Sequence, residues 1–552
     1  MSKIAKKIIL KAANMNELSA DELNALKRMV LRGQEREKAI PTTKELLKAY
    51  HILLKTGKIK QNQGLEKLLI KRAIRTLSGV TIITVLTKPF PCPGKCIYCP
   101  TEDRMPKSYI SDEPAAARAL KLQFDPYEQV ARRIKTLHDN GHPTDKIELI
   151  VKGGTWNAYP PDYQYWFINE CYRACNKLNQ KSKRFATLTK NKNQKILIEA
   201  LRKKLNRSQN TNEQTKHRVI GLTLETRPDY INENTIGVMR ELGCTRIELG
   251  VQTTDDRTLK LVKRGHTSEQ VKTATKFLKD HGFKVDYHLM PQLPGSTPKK
   301  DLQMMQEIFK DPDYRPDMIK IYPCTVIKNT ELYRWLKKGE YKPYSDKKLI
   351  ETLIQFKTVV PRYARISRLI RDIPGHHVEA GNKVTNLRQV IQSEMRKRGL
   401  KCNCLRCLEV GHVDFKTLKH KNIKTKPFLF VDRYEASGGT EYFLSFEDSG
   451  RNVVYAFCRL RIVSHDTNVK AFIRELHTYG QALNIGKRES NASQHKGLGK
   501  KLIEEAEKIC RRNRGEQNKV SELEIISSVG VRDYYRKMGY RLKNTYMVKM
   551  LK

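Results

Sequence analysis

Residues 80–100 read VTIITVLTKPFPCPGKCIYCP, a β-branched run followed by a loop with three cysteines. Cys92, Cys96 and Cys99 have the spacing C-x3-C-x2-C, and a glycine and prolines shape the loop around them. Three thiolates at this spacing can bind three irons of a [4Fe–4S] cluster and leave the fourth iron open. The alternatives are a zinc knuckle without its fourth ligand and three unrelated thiols. The stretch therefore predicts a strand that leads into a metal-binding loop.

Strands and helices alternate in the sequence that surrounds this loop. β-branched runs such as KIELIVKGG, VIGLTLETRPD, RIELGVQT and FKVDYHLM are separated by amphipathic helical segments. Such alternation is typical of parallel strands with crossover helices. We therefore predict an α/β fold for residues 76–375, a partial or closed TIM-like barrel with its active site at the carboxyl ends of the strands.

The cysteine loop, with Tyr98 before the last cysteine, resembles that of the radical S-adenosylmethionine (SAM) superfamily. The resemblance implies that SAM binds the open iron and is cleaved to methionine and a 5′-deoxyadenosyl radical. A glycine pair after a strand exposes backbone that can accept the methionine amino group, although a simple turn would look similar. Polar residues that end other strands are further candidates, and each could instead form a salt bridge. The candidate SAM-site residues are Gly153, Gly154, Glu225, Arg227 and Gln252, and Glu248 is a further polar residue of this kind.

From about residue 416 the pattern changes to strands of antiparallel type, which indicates a second domain over residues 416–552. QHKGLGKK at 494–501 opens a helix, and it fits the Q/R-x-x-G-x-G/A loop of GNAT-type α+β acetyltransferases. In such a loop, backbone N–H groups and the helix dipole bind the CoA pyrophosphate. Tyr534 or Tyr535, preferably Tyr535, could protonate the CoA thiolate, or both could be packing residues. The predicted acetyl-CoA contacts are Glu475, Leu476, His477, Thr478, Gln494, Gly497, Leu498, Gly499, Lys500 and Tyr535.

The chain is strongly basic, with 106 Lys and Arg against 59 Asp and Glu and a net charge of +47 over 552 residues. Such an excess favours a polyanionic partner such as nucleic acid, although a lysine-rich proteome would give the same count. Residues 1–75 are predicted to be helical and basic, a candidate tRNA-binding region or a plain solvated surface. No segment is long and apolar enough for a membrane span, and so a cytoplasmic protein is expected.

The two halves in this order resemble the catalytic subunit of Elongator and its stand-alone bacterial, archaeal and viral homologues. The resemblance implies acetyl-CoA-dependent carboxymethylation of C5 of uridine 34 in the tRNA anticodon stem-loop, with an electron donor for the cluster. It also implies that Lys146 contacts acetyl-CoA and takes part in catalysis together with Tyr535. The compact cysteine loop indicates a homologue that acts without the other Elongator subunits. The matching motifs include FDPYEQV, GLTLETRPDY, GCTRIELGVQ, RGHT, HLMPQLPGS, RELHTYG and VRDYYRKMGYRL.

A second cysteine group, Cys402, Cys404 and Cys407, has short spacing that suits a structural zinc ion. His377, with His376 as the alternative, is the predicted fourth ligand, and residues 376–415 are then a zinc-binding linker between the domains. Three free thiols in a turn would be the other interpretation. The rival function for the whole chain is a protein lysine acetyltransferase in which the iron–sulfur cluster only stabilises the fold.

Overall fold

The computed structural model describes residues 3–15, 18–32, 40–71, 73–180, 182, 185, 193–412, 427–465, 468–480, 497–512, 514–515 and 518–551. Along the chain a helical region is followed by a parallel sheet with helices and then by a mixed sheet. No helix within the described ranges has the length and apolar character that crossing a membrane requires.

The first 71 residues contain amphipathic helices that share a small apolar core of their own. On the first helix Ile4, Ile8 and Ile9 are buried, while the lysines between them are half-buried or exposed. A capping box between Thr42 and Glu45 begins the third helix by satisfying its free backbone N–H groups. The described helices are α1 (Lys3–Ala13), α2 (Ala20–Arg32), α3 (Thr43–Lys55) and α4 (Gln63–Leu69).

Seven parallel strands form the central sheet, and neighbours in space are also neighbours along the chain. The first and last strands are its two edges, which confirms the predicted barrel in its partial form. The strands are β1 (Thr81–Leu86), β2 (Lys146–Lys152), β3 (Arg218–Thr226), β4 (Arg246–Gln252), β5 (Lys284–Leu289), β6 (Met318–Ile321) and β8 (Arg365–Arg368).

Helices cover the outer face of this sheet, where alternate strand residues such as Leu149, Leu222 and Val285 are fully buried. A short strand pair, β7 (Val326–Ile327) and β9 (Val378–Ala380), lies beside the sheet. The described helices of this part are α5 (Pro114–Lys121), α6 (Pro126–Asp139), α7 (Pro161–Asn176), α8 (Gln194–Asn212), α9 (Glu233–Glu241), α10 (Asp256–Leu261), α11 (Ser268–Asp280), α12 (Pro298–Lys310), α13 (Glu331–Lys338), α14 (Asp346–Val359), α15 (Leu387–Lys397) and α16 (Leu405–Leu408).

The second sheet has seven strands in the order β10-β11-β12-β13-β16-β18-β17, and only the β13–β16 pair is parallel. That pair ends at Ile473 and Ile525, although β13 continues to Thr478, and so the sheet splays open. The strands are β10 (Phe428–Ala436), β11 (Gly439–Glu447), β12 (Val454–His465), β13 (Asn468–Thr478), β16 (Glu522–Ile525), β17 (Arg541–Lys543) and β18 (Tyr546–Met550). A two-stranded pair, β14 (Arg514–Gly515) and β15 (Asn518–Lys519), and helices α17 (Leu498–Arg512) and α18 (Arg532–Arg536) complete this part.

The amino-terminal ends of the barrel strands face the second sheet. Lys284, which begins β5, has its Nζ 3.4 Å from Oε1 of Glu475 on β13. Arg365, which begins β8, donates a hydrogen bond of 2.9 Å to the Tyr479 hydroxyl. The cysteine loop follows the carboxyl end of β1, and therefore the second sheet lies at the opposite end of the barrel from the cysteines.

Buried arginines of β12 and β13 hold the two sheets together. Arg459, Arg461 and Arg474 are each at most 1% exposed. Arg474 donates to Asp317 at 2.6 and 2.8 Å and to Glu441 at 2.9 Å. Removing one member of such a buried pair costs about 3–5 kcal/mol because a charge is left without its partner. These contacts fix β13 against the barrel.

Candidate active site

One cavity of about 1180 Å³ extends through the barrel and joins its two ends. At the carboxyl ends of the strands its walls include Cys92, Cys96 and Cys99. At the opposite end its walls include residues of β13 and the start of α17. The two candidate sites predicted from separate parts of the sequence therefore open into the same space.

The cysteine loop is held at its middle by backbone bonds to two other segments. The Ile97 N–H donates to the Val262 carbonyl at 3.2 Å, and the Ile97 carbonyl accepts from Leu332 at 2.9 Å. The guanidinium of Arg264 lies 3.5 Å from the Cys96 sulfur. Contact with the Cys99 thiol, followed by the charge of Arg264, lowers the pKa of Cys96 to about 4. A thiolate is the form that binds metal, and these contacts therefore favour the metal-binding form of Cys96.

The chemistry of the loop fits an iron–sulfur cluster. Cys96 is buried and Cys92 and Cys99 are half-buried, and all three line the cavity. The Cys92 sulfur lies apart from the other two, 3.8 Å from the Thr155 hydroxyl. Arg264, in the motif RGHT, was not predicted as a site residue, and only its approach to Cys96 in three dimensions reveals it.

Gly153 and Gly154 follow β2 and both have positive φ, 147° and 92°. A side chain on Gly153 would lie 1.8 Å from the Thr87 hydroxyl, and so only glycine fits there. Gly154 lines the cavity beside Thr155. The pair thus brings bare backbone to the rim next to the cysteine loop, where it was predicted to meet SAM.

The other predicted SAM-site residues also lie at this rim and line the cavity. Glu225 accepts a hydrogen bond of 2.8 Å from the Tyr109 hydroxyl. Arg227 is bound to Asp229 at 2.9 Å, and its guanidinium packs where a side chain on Gly94 would otherwise lie. Gln252 ends β4 with a φ of 73°, a left-handed conformation that is costly for a residue other than glycine.

Behind the rim the barrel interior carries charged side chains, most of which sequence reasoning missed. Glu248 on β4 is fully buried and contacts Lys152, Lys320 and His288, with 3.0 Å to the His288 Nε2. Burial opposes its ionisation, but Lys152 and Lys320 hold the pKa of Glu248 well below its usual range. The signal in the sequence is the alternation of charge within strands, as at 284, 286 and 288, where a buried parallel strand is normally apolar throughout.

At the opposite end the predicted acyl-binding residues meet the predicted pyrophosphate loop. A side chain on Gly499 would lie 2.7 Å from the Tyr534 hydroxyl, and Leu476 and Thr478 lie just beyond. Leu476, His477 and Thr478 all line the cavity, and His477 Nε2 lies 3.0 Å from the Ser78 carbonyl. Glu475 is bound by Arg459 at 2.8 Å.

The start of α17, where the sequence predicts a pyrophosphate site, lies at this end of the cavity. Gly497 has a φ of 75° and Leu498 is the first helical residue, and both line the cavity. Lys500 lies in the first turn, with 3.7 Å between its Nζ and Glu504. The predicted contact Gln494 lies outside the described residues.

Tyr535 and Lys146 both line the same cavity. Tyr535 is 6% exposed, and burial raises the pKa of its phenol, which therefore remains protonated and able to donate. Lys146 begins β2, and burial lowers the pKa of its ammonium group while Asp145 acts in the opposite direction. Lys146 begins a barrel strand and Tyr535 lies on α18 of the second part. Both candidates therefore lie at the end of the cavity where the barrel faces the second sheet.

The second cysteine group is compact, since the sulfurs of Cys402, Cys404 and Cys407 lie within 4.8 Å of one another. Tetrahedral zinc with bonds of about 2.3 Å places its sulfur ligands roughly 3.8 Å apart, and the group fits that ion. Contacts with the two neighbouring thiols hold the pKa of Cys404 well below its usual range.

Neither predicted histidine belongs to this group, which corrects the proposed fourth ligand. The Nε2 atoms of His377 and His376 face Asp112 at 2.9 and 3.4 Å instead. His376 and His377 form a separate cluster with Asp112. Sequence proximity to the cysteines suggested the ligand, but the short strand β9 and helix α15 lie between the two segments.

Comparison with known proteins agrees with this geometry. The Radical SAM superfamily model matches residues 91–308, and the Radical_SAM C-terminal domain model matches residues 316–397. The tRNA uridine(34) acetyltransferase of Methanocaldococcus infernus is 43% identical over 514 residues, covering 90% of this chain and 91% of its own. Elongator complex protein 3 of Homo sapiens is 36% identical and covers 87% of this chain and 86% of its own.

A solved structure, the archaeal Methanocaldococcus infernus Elp3 with an N-terminal deletion, superposes with a TM-score of 0.71 at 40% identity. It covers 86% of this chain, and this chain covers all of it. The resemblance inferred from the motifs is confirmed over nearly the whole length. This chain is a member of the radical SAM family that comprises the tRNA uridine(34) acetyltransferases and Elongator complex protein 3.

Proposed function

We propose that the protein attaches a carboxymethyl group, derived from acetyl-CoA, to C5 of uridine 34 in the anticodon of tRNA. The observation that carries this proposal is the continuous cavity between the cysteine loop and the start of α17. An acetyltransferase that modifies lysine needs only the second sheet and its CoA loop. A radical reaction that removes hydrogen from the acetyl methyl group needs the cysteine loop and the acetyl-CoA site to open into one cavity.

When bound, the reduced [4Fe–4S] cluster would supply the electron that cleaves SAM into methionine and a 5′-deoxyadenosyl radical. Cys92, Cys96 and Cys99 would hold the cluster, and the backbone at Gly153 and Gly154 would receive the methionine amino group.

At the opposite end the second sheet acts as a GNAT-type acetyl-CoA site in this proposal. Gly497 to Lys500 would bind the pyrophosphate, and the pantetheine arm would enter where β13 and β16 separate. Tyr535 would donate a proton to the departing thiolate, and Lys146 would contact acetyl-CoA inside the barrel end.

The basic N-terminal helices are the proposed tRNA-binding surface. Lys55, Lys58, Lys60, Lys67 and Lys71 are all exposed. Exposed cations of this kind bind phosphates, and the affinity then falls steeply with salt because counterions are released. In this proposal a structural zinc ion binds Cys402, Cys404 and Cys407, and the enzyme works with tRNA in the cytoplasm without other Elongator subunits.

The test is an anaerobic incubation of reconstituted protein with a reductant, SAM, tRNA and acetyl-CoA deuterated at the methyl group. We expect deuterium in the 5′-deoxyadenosine and a deuterated carboxymethyl group on uridine 34, both detected by mass spectrometry. Cys96→Ala should abolish both products, since it removes a cluster ligand. The matched control Cys171→Ala removes a buried thiol that belongs to neither cysteine group and should retain both products.

Two outcomes would contradict the proposal. Deuterium-free 5′-deoxyadenosine beside an unmodified anticodon would show that the acetyl methyl group is not the hydrogen donor. Acetylated lysine formed at equal rates by the wild type and Cys96→Ala would favour the lysine acetyltransferase.

A further inference from the structure

The charged side chains around Glu248 inside the barrel include His288, whose surroundings suit a general base. His288 is the penultimate residue of β5, and its partner in register on β6 is Lys320. Its Nε2 lies 3.0 Å from the buried Glu248 carboxylate, and its Nδ1 lies 3.9 Å from Glu225. Both His288 and Lys320 line the cavity between the cysteine loop and the second sheet.

The carboxylate fixes the tautomer of this imidazole. Glu248 is ionised and accepts the proton of Nε2, and so the lone pair of the neutral ring is on Nδ1. Nδ1 is beyond hydrogen-bond distance from Glu225. Burial lowers the pKa of His288, which keeps the ring neutral and able to accept a proton at physiological pH. A base oriented by a carboxylate is the arrangement that activates water or a hydroxyl in acyl transfer.

The proposed function requires such a base. Attachment of the acetyl carbon to uridine through its methyl group leaves the thioester to CoA intact, whereas the product is a free carboxylate. Water must therefore cleave that thioester within the enzyme or after release. On the basis of the proposed function, we infer that His288 is the catalytic base for this hydrolysis, positioned by Glu248, with the Lys320 ammonium group beside the developing oxyanion.

The step balances without an additional reactant. Nδ1 of His288 takes one proton from water while the water oxygen forms a bond to the thioester carbonyl carbon. The tetrahedral intermediate then collapses, the carbon–sulfur bond breaks, Tyr535 protonates the departing thiolate as proposed above, and the proton held by the imidazolium passes through solvent to the tyrosinate. The new carboxylic acid loses its proton to solvent, and the net change is one water consumed for one carboxylate, one thiol and one proton.

Other bases in the cavity are less suited to this role. Glu475 is held by Arg459 and Lys284, which overcome the effect of burial and lower its pKa to about 2. His477 is bound to the Ser78 carbonyl. Asp286 is fully buried, and neither carboxylate oxygen has a hydrogen-bond partner among the described residues, which makes it the strongest competitor.

The test uses a synthetic anticodon stem-loop whose uridine 34 already carries the carboxymethyl group as its CoA thioester. Release of CoA from this substrate needs neither SAM nor a reduced cluster, and so it is measured independently of the radical reaction. We expect His288→Gln to slow release by roughly 10²–10⁴-fold, the usual contribution of a general base, and added imidazole to restore part of the rate. The matched control His138→Gln, on an exposed face of α6, should behave as the wild type.

Three results would overturn the inference. CoA release at the wild-type rate in His288→Gln would exclude the role, and so would a loss that imidazole does not restore in a variant that melts at the wild-type temperature. A loss in Asp286→Asn with none in His288→Gln would assign the base to Asp286. If the thioester is hydrolysed as expected but never forms from acetyl-CoA, the proposed function fails and the hydrolytic role of His288 stands.

Discussion

The two cysteine groups contain three thiols each, yet their surroundings differ. Cys92, Cys96 and Cys99 line the large cavity, and an arginine lies 3.5 Å from the Cys96 sulfur. The sulfurs of Cys402, Cys404 and Cys407 lie within 4.8 Å of one another, and Lys357 lies 3.9 Å from Cys407. Cysteine side chains therefore form a site that opens into the large cavity in the first group and a compact site in the second.

In the proposed function, spacing along the chain selects the kind of metal that each group binds, and position in the fold selects its use. A three-ligand cluster in a cavity has an open iron that can bind a small molecule. A compact group whose thiols do not line the cavity suits a closed structural ion. Changing each group separately should therefore affect different properties of the protein.

The largest effect is expected from Cys96→Ala. Because one of three cluster ligands is lost, iron content and the visible iron–sulfur absorbance should fall, and SAM cleavage should drop at least about 10³-fold. Zinc content should be unchanged. Metal analysis together with the rate of 5′-deoxyadenosine formation measures both, and retained absorbance would contradict the assignment of this loop.

An intermediate effect is expected from Cys404→Ser. Loss of a zinc ligand should lower the free energy of unfolding by on the order of 2 kcal/mol or more, because binding energy of the ion contributes to folding. Iron content and SAM cleavage per folded molecule should stay near the wild-type value. Thermal melting with and without a chelator tests this, and equal melting temperatures would refute a structural ion.

The smallest effect is expected from Arg264→Gln, which keeps all ligands of both groups. The change removes a positive charge beside Cys96, and charge near the sulfurs tunes the potential of a cluster. We expect the cluster to assemble, its reduction potential to become more negative, and SAM cleavage to slow about tenfold. Redox titration followed by electron paramagnetic resonance checks this, with Lys263→Gln, an exposed neighbour, as the control.

The predicted site residues that the structure brings to the cavity are encoded by short, contiguous motifs. Cys92, Cys96 and Cys99, Gly154 and the start of α17 all line the cavity. The layer around Glu248 was largely missed because its members come from four strands far apart in sequence and meet only through strand register. The fourth zinc ligand was misplaced because residues that are near the cysteines in sequence need not be near them in space.

By itself the sequence determined the α/β barrel, the two cysteine groups and the family, because cysteine spacing and strand periodicity are local properties of the chain. Only the tertiary structure decided that the two ends open into one cavity and that His288 lies against Glu248. Pairing of β4 with β5 brings His288 to Glu248. The buried arginines of β12 and β13 hold the second sheet against the barrel through contacts between residues more than a hundred positions apart.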